Sequence, residues 1–442
     1  MGRQVNEREI VLAVLMEITE NGAYSHKILG EVLSKYQYLE KKERAFITRV
    51  TEGTLEHLIE IDYILDQFSK VKVKKMKPVI RNILRSGVYQ LKYMDSVPDH
   101  AVCSEAVKLA VRKGFSGLKG YVNGVLRSVA RGLDTLDYPQ EGIEALSIQY
   151  SIPTWILRLW EKSYGEEVTR TMAADFLKER PVTIRCCQNK VTPEQLKKEL
   201  EQEGVTVQEH PYLPYAFFIS GYDYLESLDC FWKGWFTVQD VSSMLVAELA
   251  APEAGNKIVD ICAAPGGKSL HIAEKLWITD RNEAKKGEVE ARDLTEYKVG
   301  LIQDNIDRTG AKNIQAVQMD ATVLDEASVK KADVVLADLP CSGLGVLNKK
   351  TDLKYRMTPE QQEVIDECGR LATQYEREIN RACDDEIMNR WQNENGVTIT
   401  NYEDMDIDSF KQAVDGVDEW YQKELEGQGY DDAKELIETF TK

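Results

Sequence analysis

The chain has 442 residues, enough for two or three domains, and its 43% hydrophobic and 29% charged residues are the balance of water-soluble globular protein. No stretch approaches the roughly 20 apolar residues of a membrane span. The apolar run Ile10–Met16 is bracketed by Glu7, Glu9 and Glu17, so it reads as a helix face rather than an export signal, and a cytoplasmic location is expected. The net charge of −18 argues against a nucleic-acid partner only until its distribution is examined. Residues 1–131 carry 22 Lys and Arg against 15 Asp and Glu, a balance of +7, and residues 366–442 carry 8 against 21, a balance of −13. An acidic tail masks a basic front. The eight cysteines form no CxxC pair, so neither a metal site nor a disulfide framework is expected, and most should be buried or inert thiols.

From Val5 to about Arg131 apolar residues recur at three- and four-residue steps, as in Ile10, Ala13, Val14 and Ile18, which predicts a helical bundle. Pro78 and Pro98 fall where helices start or loops sit. Lys70–Lys77 (KVKVKKMK), followed by Arg81 and Arg85, is a basic run; such runs are usually solvated surface, and the functional alternative is contact with RNA phosphates. Most of residues 5–131, and Gly120–Arg127 (GYVNGVLR) above all, resembles the RNA-binding domain of the NusB family, which heads one family of ribosomal-RNA methyltransferases.

Thr183–Arg185 reads as a strand and Thr192–Leu200 as a capped helix, a small α/β insert. Tyr150–Trp160 (YSIPTWILRLW) resembles that same family's linker helix, and the resemblance implies that the insert is a small RNA-binding module.

Lys257–Leu270 (KIVDICAAPGGKSL) is the most informative stretch. Ile258, Val259 and Ile261 read as a buried parallel strand running into Pro265-Gly266-Gly267, after which His271–Leu276 continues as a helix. Glycines at such a turn let backbone amides approach a ligand, and the helix N-terminus favours negative charge. Glu288–Asp293, Gln315–Asp320 and Asp333–Asp338 read as three further strands, each ending in an acid where open α/β sheets bind ligands. A single such Asp could merely cap a helix. Trp277–Lys286 reads as a long surface connection.

Together these strings resemble 16S ribosomal-RNA cytosine-5 methyltransferases of the RsmB/Sun type over about residues 5–365. The resemblance implies an α+β multidomain chain. An all-α NusB-like domain (1–135) is followed by linker helices and a small α/β RNA-binding module (136–235). An incomplete Rossmann-like α/β methyltransferase domain (236–365) and an acidic, mainly helical tail (366–442) follow. It implies S-adenosylmethionine as cofactor, lined by Cys262, Ala263, Ala264, Pro265, Gly266, Gly267 and Lys268, with Asp293 on the ribose, Asp320 by the adenine and Asp338 beside the reacting methyl. It further implies 16S ribosomal RNA as partner, with no membrane, no metal and a monomeric state.

Carbon 5 of cytosine is a poor nucleophile; a thiolate adds to carbon 6 and activates it, after which a proton leaves carbon 5 and the thiol is eliminated. The base must also be reachable. The resemblance gives Cys341, in Pro340-Cys341-Ser342-Gly343, the role of assisting release, and places the nucleophile in a later Ser-Thr-Cys motif. That motif is absent. Cys368 follows Asp366 and Glu367, and Cys383 precedes Asp384 and Asp385, carboxylates that disfavour a thiolate. Thr358–Cys368, Tyr375–Asn380 and Asn395–Thr400 instead resemble the C-terminal end of solute-binding proteins of tripartite ATP-independent periplasmic transporters, which reads as a fused segment. Val397–Thr400 is the one strand candidate there. The expectation is a ribosomal-RNA methyltransferase impaired at its C-terminus; the alternative is a non-catalytic protein that binds RNA and S-adenosylmethionine.

Overall fold

The computed structural model describes residues 6–178, 181–280, 286–394, 396–398, 400, 405–413 and 416–427. Seven helices form the front: α1 (Glu7–Thr19), α2 (Ser25–Lys35), α3 (Lys41–Glu56), α4 (Leu58–Phe68), α5 (Pro78–Tyr93), α6 (Asp99–Arg112) and α7 (Lys119–Gly132). Local chemistry sets their starts. The Asn6 side chain accepts the Glu9 amide at 2.9 Å and caps α1. Pro78 opens α5, where a missing N–H leaves no helical bond unmade. Pro98 precedes α6. Leu15, Ile47, Ile64, Ile83, Val88 and Leu126 are fully buried in one shared core. Gly53 lets α3 and α5 approach closely, since a Cβ there would lie 2.1 Å from the Tyr89 ring. The periodicity of the front therefore yields the helical domain it predicts.

Helices α8 (Gly142–Tyr150) and α9 (Thr154–Phe176) follow, the second broken at Gly165 by a φ of 80°. A small module comes next, with β1 (Val182–Cys186), α10 (Pro193–Gln202), β2 (Thr206–Glu209), β3 (Ala216–Ser220), α11 (Asp229–Trp232) and β4 (Phe236–Val238). Its antiparallel sheet has the order β2-β3-β1-β4. Thr192 caps α10 by accepting the Gln195 amide at 3.3 Å, as the sequence predicts. Ile184, Leu196, Leu200, Phe217 and Phe236 fill the space between sheet and helix.

The α/β domain contains α12 (Val241–Ala250), β5 (Lys257–Asp260), α13 (Gly267–Thr279), β6 (Glu288–Asp293), α14 (Glu296–Thr309), β7 (Ile314–Gln318) and β8 (Val334–Leu336). The four strands are parallel in the order β7-β6-β5-β8. The chain enters mid-sheet, steps out to one edge and crosses back to the other side, the Rossmann-like pattern that places a binding crevice at the strands' carboxyl ends. α12, α13 and α14 cover one face, packing Ile272, Ala273 and Ile302 on Ile258, Val289 and Ala291.

The opposite face departs from the expected buried strand: Val259 and Ile261 are only half-buried, and Val335 is 59% exposed. Parallel strands are normally covered on both faces. Among the described residues, this face instead holds a hollow of about 300 Å³, closed on one side by the loop that runs from Asp320 to Ala332. Among the described residues, helices therefore pack on one face of this sheet. The expected long connection from Trp277 begins later, because α13 continues to Thr279; residues 281–285 lie outside the described residues.

Residues Glu363–Lys442 form a separate unit. It comprises most of α15 (Pro359–Asn393) together with α16 (Ile407–Ala413) and α17 (Val417–Gly427). Every residue from Asp366 to Glu394 is exposed, so this length of helix has no buried face. The strand expected at Val397–Thr400 is not found: Val397, Thr398 and Thr400 are irregular, and Ile399 lies outside the described residues.

Candidate functional site

β5 delivers the chain to a turn whose shape requires its glycines. Gly266 has a φ of +99°, and a Cβ there would lie 3.3 Å from Ile302 Cγ2. Two buried carboxylates hold the turn. Asp260 accepts the Ser269 hydroxyl at 2.6 Å and the Cys262 amide at 3.4 Å, joining the end of β5 to the first turn of α13. Asp293 accepts the amides of Ala264 at 3.1 Å and Leu294 at 2.8 Å and pairs with Lys298 at 3.0 Å. Burial works to raise the Asp293 pKa, but the Lys298 ammonium and the two amides outweigh it and hold the carboxylate below its ordinary range. At Asp260 burial prevails and pushes the pKa up. Asp260 carries no local sequence signal for this role; its partners become visible only once the turn is folded.

Lys268, in the first turn of α13, pairs with Asp338 beyond the end of β8 at 2.5 Å. Asp320 is exposed beyond β7, where the Thr322 hydroxyl and amide lower its pKa, and the Met319 amide donates to the Asp293 carbonyl at 3.0 Å. The structure thus brings the Ala263–Lys268 turn, Asp293 and Asp338 into direct or one-bond contact, with Asp320 at the next strand end. Cys262 is half-buried, and burial followed by the nearby Asp293 charge raises its pKa, which keeps it a thiol. Cys341 lies three residues past Asp338 and is exposed, as are Cys368 and Cys383 on α15. Cys103, Cys186, Cys187 and Cys230 are buried.

The segment after Cys341 fastens the α/β domain to the helical domain. Ser25 Oγ donates to Asp352 at 2.5 Å, Lys354 Nζ to the Glu56 carbonyl at 2.7 Å, and the Tyr355 hydroxyl to the Leu55 carbonyl at 2.9 Å. Lys354 is buried, and burial draws its pKa down to about 7. On the other side of the site, Arg185 of β1 forms a buried ion pair with Glu274 of α13. Both fastenings join residues far apart in sequence, and neither was legible there.

In the basic run, Val73 and Met76 turn into the core while Lys70, Lys74 and Lys75 are exposed. Arg81 and Arg85 do not extend this surface: Arg81 is paired with Glu20 and Arg85 with Asp62, each at 2.7 Å. Lys70, Lys74 and Lys75 have no ion pair among the described residues, which suits phosphate contact. Replacing Lys70, Lys74 and Lys75 together by Ala is expected to flatten the salt dependence of 16S ribosomal-RNA binding by about 2–3 in the slope of log K against log salt, at roughly 0.7–0.9 per lost contact. Filter binding at several salt concentrations measures this, and an unchanged slope would remove the run from the interface.

Three family models match this chain: the NusB family over residues 5–131, the ferredoxin-like domain of RsmF/B-like methyltransferases over 152–222, and the 16S rRNA methyltransferase RsmB/F family over 247–374. The tail's resemblance to transporter proteins gains no support from them. The fold and turn described above are accordingly those of an RNA-binding methyltransferase with a NusB-like front. The probable ribosomal RNA small subunit methyltransferase B of Bacillus subtilis is 35% identical over 361 residues, covering 81% of this chain and 78% of the relative. The corresponding Synechocystis protein is 31% identical, covering 80% and 78%, and an Escherichia coli protein of the same name is 28% identical, covering 83% of each. The solved structure of PH0851 shares the fold, with a TM-score of 0.65 at 23% identity over 84% of this chain and 81% of that one. The chain belongs to the ribosomal RNA small subunit methyltransferase B family. No helix among the described residues is long and apolar enough to cross a membrane.

Proposed function

We propose that the α/β domain binds S-adenosylmethionine at the carboxyl ends of β5, β6, β7 and β8, and that the family reaction is methylation of carbon 5 of a cytosine in 16S ribosomal RNA. The observation that carries this reading is the convergence of the Ala263–Lys268 turn, Asp293 and Asp338 at those strand ends. The residues fit the cofactor: a glycine turn that a Cβ would fill, a helix N-terminus, and a carboxylate held ionised at the end of the second strand of the sheet's chain order. Cys262–Lys268 would hold the methionine and ribose, Asp293 the ribose hydroxyls, and Asp320 the adenine. The bound cofactor supplies an electrophilic methyl group.

The chain's own residues then divide the remaining work. The helical domain and small module hold RNA. Asp338, paired to Lys268, faces the target base, and Cys341 assists release after transfer. No thiol suited to the attack on carbon 6 accompanies them, so transfer is impaired in this chain. Domain boundaries at 135, 235 and 365 suit this division, with the small module's core running past the second to take in Phe236 and Met244.

The test is calorimetry of the whole chain with S-adenosylmethionine. Asp293→Ala removes charge-assisted hydrogen bonds worth about 1.5–3 kcal/mol each, so Kd is expected to rise by roughly 10- to 150-fold for each bond lost. Equal affinity in the two proteins would remove Asp293 from the ribose site.

A further inference from the structure

Gln239 lies between the small module and the cofactor turn, immediately after β4, with its backbone amide bonded to the Thr183 carbonyl at 3.1 Å. Its side chain is 6% exposed. The amide oxygen accepts from Arg185 Nε at 2.9 Å, and Arg185, 1% exposed, is in turn held by Glu274 of α13. Glu274 also accepts the Gln188 amide at 2.9 Å. This chain of bonds fixes the orientation of the Gln239 amide, because Arg185 can only donate and therefore requires the oxygen. The amide nitrogen is thereby left as a buried donor with no partner among the described residues. Its amide carbon lies 3.9 Å from the point a Cβ on Gly267 would occupy.

Gly267 is the first residue of α13, a 13-residue helix. The first-turn amides of a helix have no intrahelical acceptors and favour negative charge. An unpartnered donor fixed beside them adds to the same preference. Leaving such a donor unmet is costly in a folded protein, and an arriving acceptor relieves that cost. The one negatively charged group of S-adenosylmethionine is the carboxylate of its methionine end. We propose that Gln239 is a cofactor-binding residue whose amide nitrogen donates to that carboxylate, and that Arg185 is the positioning residue that aims it. This inference rests on the reading that the domain binds S-adenosylmethionine. It couples the small RNA-binding module to the cofactor turn through one side chain.

The experiment compares two ligands on the whole chain by calorimetry: S-adenosylhomocysteine, which has the carboxylate, and 5′-methylthioadenosine, which lacks the amino-acid end. Gln239→Glu keeps an acceptor for Arg185 and removes the donor. It is expected to weaken S-adenosylhomocysteine at least about tenfold and to leave 5′-methylthioadenosine within about twofold of the unsubstituted chain. Gln239→Leu should show the same selectivity with a lower melting temperature, since it also strands Arg185 Nε. Unchanged affinity for S-adenosylhomocysteine in Gln239→Glu overturns the proposal. So does an equal loss for both ligands, which would assign Gln239 to the fold alone. If the unsubstituted chain binds neither ligand, the cofactor reading fails and this inference fails with it; binding of both with no effect of substitution overturns the inference alone.

Discussion

Incubated with labelled S-adenosylmethionine and unmodified 16S ribosomal RNA, the chain is expected to transfer methyl groups on the order of 10⁶-fold more slowly than a version in which a relative's C-terminal segment replaces residues 366–442, a deficit typical of a lost nucleophile. Covalent activation of cytosine needs a thiolate poised over carbon 6. Cys341 is exposed and follows Asp338, but in the proposed reaction its role is in release. Cys368 and Cys383 stand exposed on α15, each beside two carboxylates in sequence. The structure adds a second reason. Val335 is 59% exposed on β8, and the face carrying Val259 and Ile261 is only half-buried, so among the described residues this face of the sheet has no covering layer of helices. The restored version should therefore also melt at a higher temperature. Robust methylation by the unaltered chain would sink this account, and loss of that activity in Cys341→Ala without a trapped covalent adduct on the RNA would then identify Cys341 as the nucleophile.

Arg185→Met is expected to cost roughly 3–5 kcal/mol of stability, a large share of the roughly 5–15 kcal/mol that holds a typical domain folded. Arg185 is 1% exposed and Glu274 is 6% exposed, so water cannot take the place of either partner. Burial disfavours the guanidinium charge, and the Glu274 carboxylate more than compensates. Without Arg185, Glu274 keeps the Gln188 amide but loses its counter-charge, while Gln239 loses the bond that orients it. Pairing the substitution with Glu274→Leu removes the stranded charge and should recover much of the loss, because a buried ion pair replaced as a unit by apolar groups is often close to neutral. Urea denaturation of the single and double variants measures both effects. A single-variant loss below about 1 kcal/mol would mean that water or a rearranged side chain solvates Glu274.

The elements that the sequence determined are those whose cause is local. Helical periodicity from Ile10 onward, Asn6 and Thr192 as caps, and Pro78 at a helix start all act within one or two turns of chain. The cofactor turn was legible for the same reason: a β-branched run, two glycines and a helical pattern follow one another directly between Ile258 and Leu276, and Gly266 adopts the positive φ that such a turn requires. The acids near the strand ends were likewise readable as positions: Asp293 closes β6, and Asp320 and Asp338 lie two residues beyond β7 and β8. Their partners were not. Asp293 meets Ala264 across 29 residues, Lys268 meets Asp338 across 70, and Arg185 meets Glu274 across 89. Tertiary structure alone decided that Arg81 and Arg85 are spent on Glu20 and Asp62 while Lys70, Lys74 and Lys75 remain exposed. It also decided that Val259 and Ile261 face an uncovered side of the sheet, because a β-branched strand has the same pattern whether or not a second layer of helices is present to bury it. A residue's own type sets what it can bond to, and only the folded chain sets which of those partners comes within reach.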